Sequence, residues 1–227
     1  MANFLRLLLA VMLLPACWGT GWALFLAIAA AADAAGHFSS ATLSLLAGMA
    51  IFVPCWLFLP RPVKIYVLGH ELTHALWGLL FGAMPSRIRV GANGGSVNLT
   101  KSNMLITLAP YFFPFYVFLI AMVAVPVALF AKRLMYLPVW MFLVGFAWAF
   151  HIAFTVSVLA QRQSDVQTYG RVFSWVFIFL ANVAIVLLAL VAMTPLAFSA
   201  LAEILANSVA AAYRTVFSFA VSGLKML

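Results

Sequence analysis

His70 and His74 stand four residues apart, with Glu71 directly after the first, in the stretch Val67-Leu68-Gly69-His70-Glu71-Leu72-Thr73-His74-Ala75-Leu76-Trp77. On a helix, side chains at i and i+4 lie one above the other, so both imidazoles reach one metal ion from the same face. Glu71 flanks that face. In this arrangement the histidines hold Zn²⁺, and the glutamate, which is not a ligand, takes a proton from the water that the metal activates. The chain has only 4 His in 227 residues, and chance produces this pattern about six times in ten thousand such chains. Accident is therefore a poor explanation.

On a soluble surface helix the same pattern is often no more than a solvated face, but residues 65 to 83 are too apolar for that. An ionisable side chain in hydrocarbon costs about 2.5–3.5 kcal/mol on insertion scales, and three of them cluster here within five residues. A packed, purely structural polar triad would bear that cost without a role; a metal site gives it one.

The elements around the motif follow from composition. At 67% hydrophobic and 7% charged residues, with several apolar runs long enough to cross a bilayer, the chain reads as an all-α polytopic membrane protein, one integral-membrane domain over residues 1–227. A net charge of +8 would suggest nucleic acid in a soluble chain. Here the basic residues punctuate the ends of apolar runs as membrane anchors do, so the expected surroundings are a lipid bilayer, with no nucleic acid. Cys17 and Cys55 are isolated within apolar runs and form neither a disulfide framework nor a CxxC site.

About six spans are expected. The first runs from Phe4 to Ala32, too long for a signal-peptide core. The second covers Ala41 to Leu59 and ends at Pro60-Arg61-Pro62, and the motif helix, Val63 to Ala83, is the third. Arg87-Ile88-Arg89-Val90 and Ser96-Val97-Asn98-Leu99-Thr100 alternate on either side of Gly91-Ala92-Asn93-Gly94-Gly95, which reads as a glycine-rich β-hairpin. Such a hairpin is either a plain surface connection or an exposed edge to which an extended substrate adds as a strand. Asn103 to Ala131, interrupted by Pro110, Pro114 and Pro126, is a kinked fourth span closed by Lys132-Arg133. Leu134 to Ala160 and Val172 to Met193 are the fifth and sixth. After Thr194-Pro195 comes a C-terminal amphipathic helix, about 196–224, whose Ser199, Glu203, Asn207, Arg214, Ser218 and Ser222 share one stripe and suit a helix lying in the interface.

The motif helix, the glycine-rich hairpin and a later polar Asp165 together resemble the site-2 protease family of intramembrane zinc metalloproteases, in particular its short M50B-like branch. The resemblance covers about residues 63 to 172, taken as the catalytic core. It implies a zinc ion held by His70, His74 and a distal aspartate, for which Asp165 is the nearest match. It implies Glu71 as general base, and hydrolysis of a peptide bond in or near a transmembrane segment of a membrane-anchored protein. In better-known members the aspartate follows an Asn- and Pro-containing stretch and precedes Gly; here it sits in Gln163-Ser164-Asp165-Val166, with Gly170 five residues on.

Chemistry keeps His151 as an alternative third ligand, since imidazole serves zinc equally well. Were residues 151 to 165 one helix, the two side chains would stand about 21 Å apart and could not share an ion. Depth along simple spans favours His151, and the family match favours Asp165. His151 also fits a core or supporting role. With the six spans above, Lys and Arg divide seven to five between the two faces, too evenly to set orientation, whereas the resemblance puts the site toward the cytoplasm of a bacterial cytoplasmic membrane. The competing functional reading is a non-catalytic transporter or receptor with a structural or regulatory metal. That reading leaves Glu71 without a purpose, and structural zinc sites are normally closed by four ligands.

Overall fold

The computed structural model describes residues 2–35, 39–91, 94–131 and 138–224. They form nine helices and one pair of strands: α1 (Ala2–Ala35), α2 (Ser40–Phe58), α3 (Val63–Leu80), β1 (Pro85–Gly91), β2 (Gly94–Leu99), α4 (Met104–Phe112), α5 (Phe115–Ala131), α6 (Pro138–Leu159), α7 (Ser164–Thr168), α8 (Arg171–Met193) and α9 (Phe198–Leu224). Five of them, α1, α2, α6, α8 and α9, are long and apolar enough to cross a membrane. Their outward surfaces carry large apolar side chains, with Phe58 81% and Phe219 73% exposed, which suits a lipid surround and not water. α3 is not among the five, because Lys64, His70, Glu71 and His74 dilute its apolar content. The expected basic closure at Lys132-Arg133 and the turn residues Ala92 and Asn93 lie outside the described residues.

The chain forms two compact units. One, Met1–His37 with Gln167–Leu227, contains α1, α8 and α9. Ala23, Ala27 and Ala31 recur every four residues along α1 and are buried, the small-residue stripe that lets membrane helices approach closely. Ala27 and Ala31 meet Val183 and Leu187 of α8 and Leu201 of α9. Near its start, Arg6 donates to the Thr168 carbonyl at 3.2 Å, just before α8 begins, so α1 and α8 run in the same direction. α9 runs the opposite way: Tyr213 donates to the Met12 carbonyl at 2.8 Å, while Leu201 sits with Ala27 and Ala31. The polar stripe of α9, Ser199 to Ser222, faces outward.

The second unit, Phe38–Val166, contains everything from α2 to Asp165. Ser39 caps α2 by accepting the Thr42 N–H at 3.1 Å. α2 and α6 cross at paired glycines: a Cβ at Gly48 would run into the Phe142 carbonyl, and one at Gly145 into that of Leu45. Beyond the crossing, Phe52 packs on Phe146 with ring centroids 5.2 Å apart, and Trp56 on Phe154 at 5.0 Å. Residue numbers rise together along the two helices, so α2 and α6 are parallel.

β1 and β2 pair antiparallel, with Pro85 opposite Leu99 and Gly91 opposite Gly94, and the register shifts between Ser86 and Arg89. Arg87 adopts φ 48° in that irregularity, as at a bulge. The expected fourth span is broken. α4 and α5 meet at 77°, where Phe113, at φ −90° and ψ 111°, leaves helical geometry because Pro114 crowds that conformation in its predecessor. Pro110 and Pro126 remain inside their helices.

Candidate metal centre

α3 presents Tyr66, His70 and His74 at successive four-residue steps, so one face of the helix carries all three. The Tyr66 hydroxyl lies 3.3 Å from His70 Nδ1. His74 Nδ1 lies 2.9 Å from the Ile106 carbonyl. A carbonyl only accepts, so Nδ1 of His74 carries the hydrogen and its Nε2 is free to ligate. Ile106 is itself fixed at the start of α4, where its N–H donates to the Asn103 side chain at 2.9 Å.

Both Nε2 atoms face Asp165. His70 Nε2 and His74 Nε2 each stand 3.4 Å from Asp165 Oδ2, and the three potential donor atoms all lie within 4.8 Å of one another. Asp165 arrives there because α6 stops at Leu159 and a short helix, α7, begins at Ser164, so the carboxylate is set back against the unit instead of extending beyond it. Burial alone would raise the Asp165 pKa, but hydrogen bonding to His70 and His74 and their charge hold it well below the usual carboxylate range.

This donor set fits zinc. Tetrahedral coordination with bonds of about 2.0–2.1 Å separates neighbouring donors by about 3.3–3.4 Å, close to the two nitrogen–oxygen separations found here. Two imidazoles and one carboxylate leave a fourth position open, as in catalytic sites. Among the described residues no other group of three or more histidine, cysteine or carboxylate side chains comes together in this way.

Glu71 is buried and stands outside this ligand group. It borders, together with His74, Gly95, Val97, Leu99 and Asp165, a cavity of about 690 Å³. β2 lies directly over it: a Cβ at Gly95 would come 2.6 Å from Val67 Cγ1 and 2.8 Å from Glu71 Cγ, so only glycine lets the strand approach this closely. His151, the alternative ligand, is buried in α6 and lines a separate small cavity with Tyr66, His70 and Thr73. It is not brought into the ligand group.

Two contributors have no motif in the sequence. Tyr111 of α4 is fully buried, donates to Asp165 Oδ2 at 3.1 Å, and sets its ring edge-on to His70, with centroids 5.2 Å apart. The Ile106 carbonyl orients His74 through the backbone, which no residue type signals. Tyr66, four residues before His70, was open to the same helical-face reasoning as the histidines. No protein-family model, curated protein or solved structure matches the chain.

Proposed function

We propose that this chain is an intramembrane zinc metalloendopeptidase of the site-2 protease type, hydrolysing a peptide bond of a membrane-anchored protein. The observation that carries the reading is the pair of 3.4 Å separations by which His70 and His74 share one oxygen of Asp165, beside a buried glutamate that is not part of the set. His70, His74 and Asp165 would hold Zn²⁺, which when bound supplies Lewis acidity to the scissile carbonyl and to water. Glu71 accepts a proton from water in the cavity and passes it to the amine nitrogen as the C–N bond breaks. Tyr66 and the Ile106 carbonyl keep the imidazoles turned through their Nδ1 atoms. β2, which borders the cavity, offers an extended edge to a substrate unwound from its helix.

The topology that fits this function has six crossings: α1, α8 and α9 in one unit, and α2, the bent α4–α5 pair and α6 in the other. Because α2 and α6 are parallel, an odd number of crossings must separate them. The bent pair passes the length and composition test as a unit and α3 does not, so α3 enters the layer and the chain returns to the same face. α9 crosses alongside α1 instead of lying in the interface, since it follows α1 from Leu201 to Tyr213 in the opposite direction. These assignments replace α3 by α9 among the six expected spans. In the second unit, Arg61, Lys64, Arg87, Arg89, Lys101 and Arg162 then share the face on which the metal centre opens, and by the positive-inside rule such a cluster marks a cytoplasmic face, where the seven-to-five division leaves the question open.

Zinc content of the purified chain tests the ligand set. The wild type should carry one zinc per chain, Asp165→Ala almost none, and His151→Ala close to the full amount. Zinc lost from His151→Ala and kept in Asp165→Ala would overturn the assignment, and stoichiometric zinc without any peptide cleavage would favour the non-catalytic reading.

A further inference from the structure

A second concavity shares only Arg61 with the cavity at the metal centre. Phe52 and Trp56 of α2, Ile120 of α5, and Leu143 and Phe146 of α6 wall an apolar groove of about 370 Å³, and Arg61 at its lip is the single charged lining residue among those described. The Arg61 guanidinium lies over the Trp56 ring, 4.3 Å from its centroid. That stacking uses the flat face of the group and leaves its in-plane N–H donors pointing outward. Among the described residues Arg61 has no side-chain hydrogen bond or ion pair. The unit holds only two carboxylates, Glu71 and Asp165, one inside the ligand group and the other buried beside it. Lys64, three residues on, is exposed as well, and among the described residues neither cation has a protein anion beside it.

We propose that this groove binds an anionic phospholipid, one acyl chain lying between α2, α5 and α6 and the phosphate meeting Arg61 at its lip. The apolar walls select hydrocarbon, and the planar fork of Arg61 matches phosphate oxygens. Basic pockets between membrane helices on the cytoplasmic side take lipid headgroups in this way, and the topology proposed above, on which this point rests, puts Arg61 on that side. The groove itself uses no ligand of the metal centre.

The test is native mass spectrometry of the full chain, delipidated and then equilibrated with mixed micelles holding equal amounts of phosphatidylglycerol and phosphatidylcholine. The wild type should retain one phosphatidylglycerol in clear preference to phosphatidylcholine. Arg61→Gln should lower that preference about fivefold, and Leu143→Trp, which fills the groove at a partly exposed position, should remove the bound lipid while leaving both cations in place. Equal retention of the two lipids by the wild type would overturn the proposal. So would a phosphatidylglycerol preference unchanged in Arg61→Gln, or undiminished lipid in Leu143→Trp, which would move binding from the groove to the surface charge alone. Zinc content measured on the same samples separates this outcome from any fault in the metal centre.

Discussion

Tyr111 donates its hydroxyl hydrogen to Oδ2 of Asp165 at 3.1 Å, the same oxygen that faces the Nε2 atoms of both histidines. A carboxylate arriving on a short connecting helix is thereby tied to a buried residue of α4, and its direction is set by a neighbour that touches no substrate. Tyr111→Phe keeps the packing and deletes this bond. Loss of a partner behind a ligand typically costs about 10–100-fold in metal affinity or activity, so zinc should be released to a competing chelator at correspondingly lower chelator concentration. An unchanged titration would reduce Tyr111 to a packing residue.

Gly95 allows β2 to press against Val67 and Glu71. Gly95→Ala should push the strand away from the cavity, with a stability cost of about 1–3 kcal/mol, as for other overpacked sites. Cleavage should fall by at least tenfold while zinc stays bound, because no ligand moves. A fully active Gly95→Ala protein would show that the position of β2 over Glu71 is irrelevant to the reaction.

Sidedness can be read with a membrane-impermeant thiol reagent on a chain whose own cysteines are replaced. Ser102→Cys and Gln163→Cys should label from the face on which the metal centre opens, and Val139→Cys, at the exposed start of α6, from the other. Labelling of Ser102→Cys and Val139→Cys from one face would mean that the α4–α5 pair does not cross; with α2 and α6 parallel, α3 would then be the crossing element and the proposed arrangement would fall.

Much of the centre is legible in the sequence. Helical spacing alone puts His70 and His74 on one face, and an ionisable cluster in an apolar segment is costly enough to demand a role. Depth along simple spans favours His151, but the chain leaves α6 at Leu159 and winds α7 from Ser164, which sets Asp165, and not His151, against the histidines. Tyr111 and the Ile106 carbonyl were out of reach because their partners lie more than thirty residues away and no local pattern marks them. Length alone marks α3 as a span, yet Lys64, His70, Glu71 and His74 take it out of the apolar class, whereas α9, for all its polar stripe, is long and apolar enough to cross and packs its opposite face on the small residues of α1. A sequence lists which faces are polar but not which neighbour covers the rest.

Glu71 carries the central claim, since a structural metal site has no use for it and hydrolysis does. The decisive measurement is peptide-bond cleavage of a membrane-anchored substrate by zinc-loaded wild type and Glu71→Gln, with zinc quantified in the same preparations. One zinc per chain is expected in both proteins, with cleavage by the wild type and a loss of at least about a hundredfold in Glu71→Gln, the lower range for removing a general base. Undiminished turnover by Glu71→Gln would contradict the claim, and so would a variant that loses its zinc, which would make Glu71 a ligand and not a base.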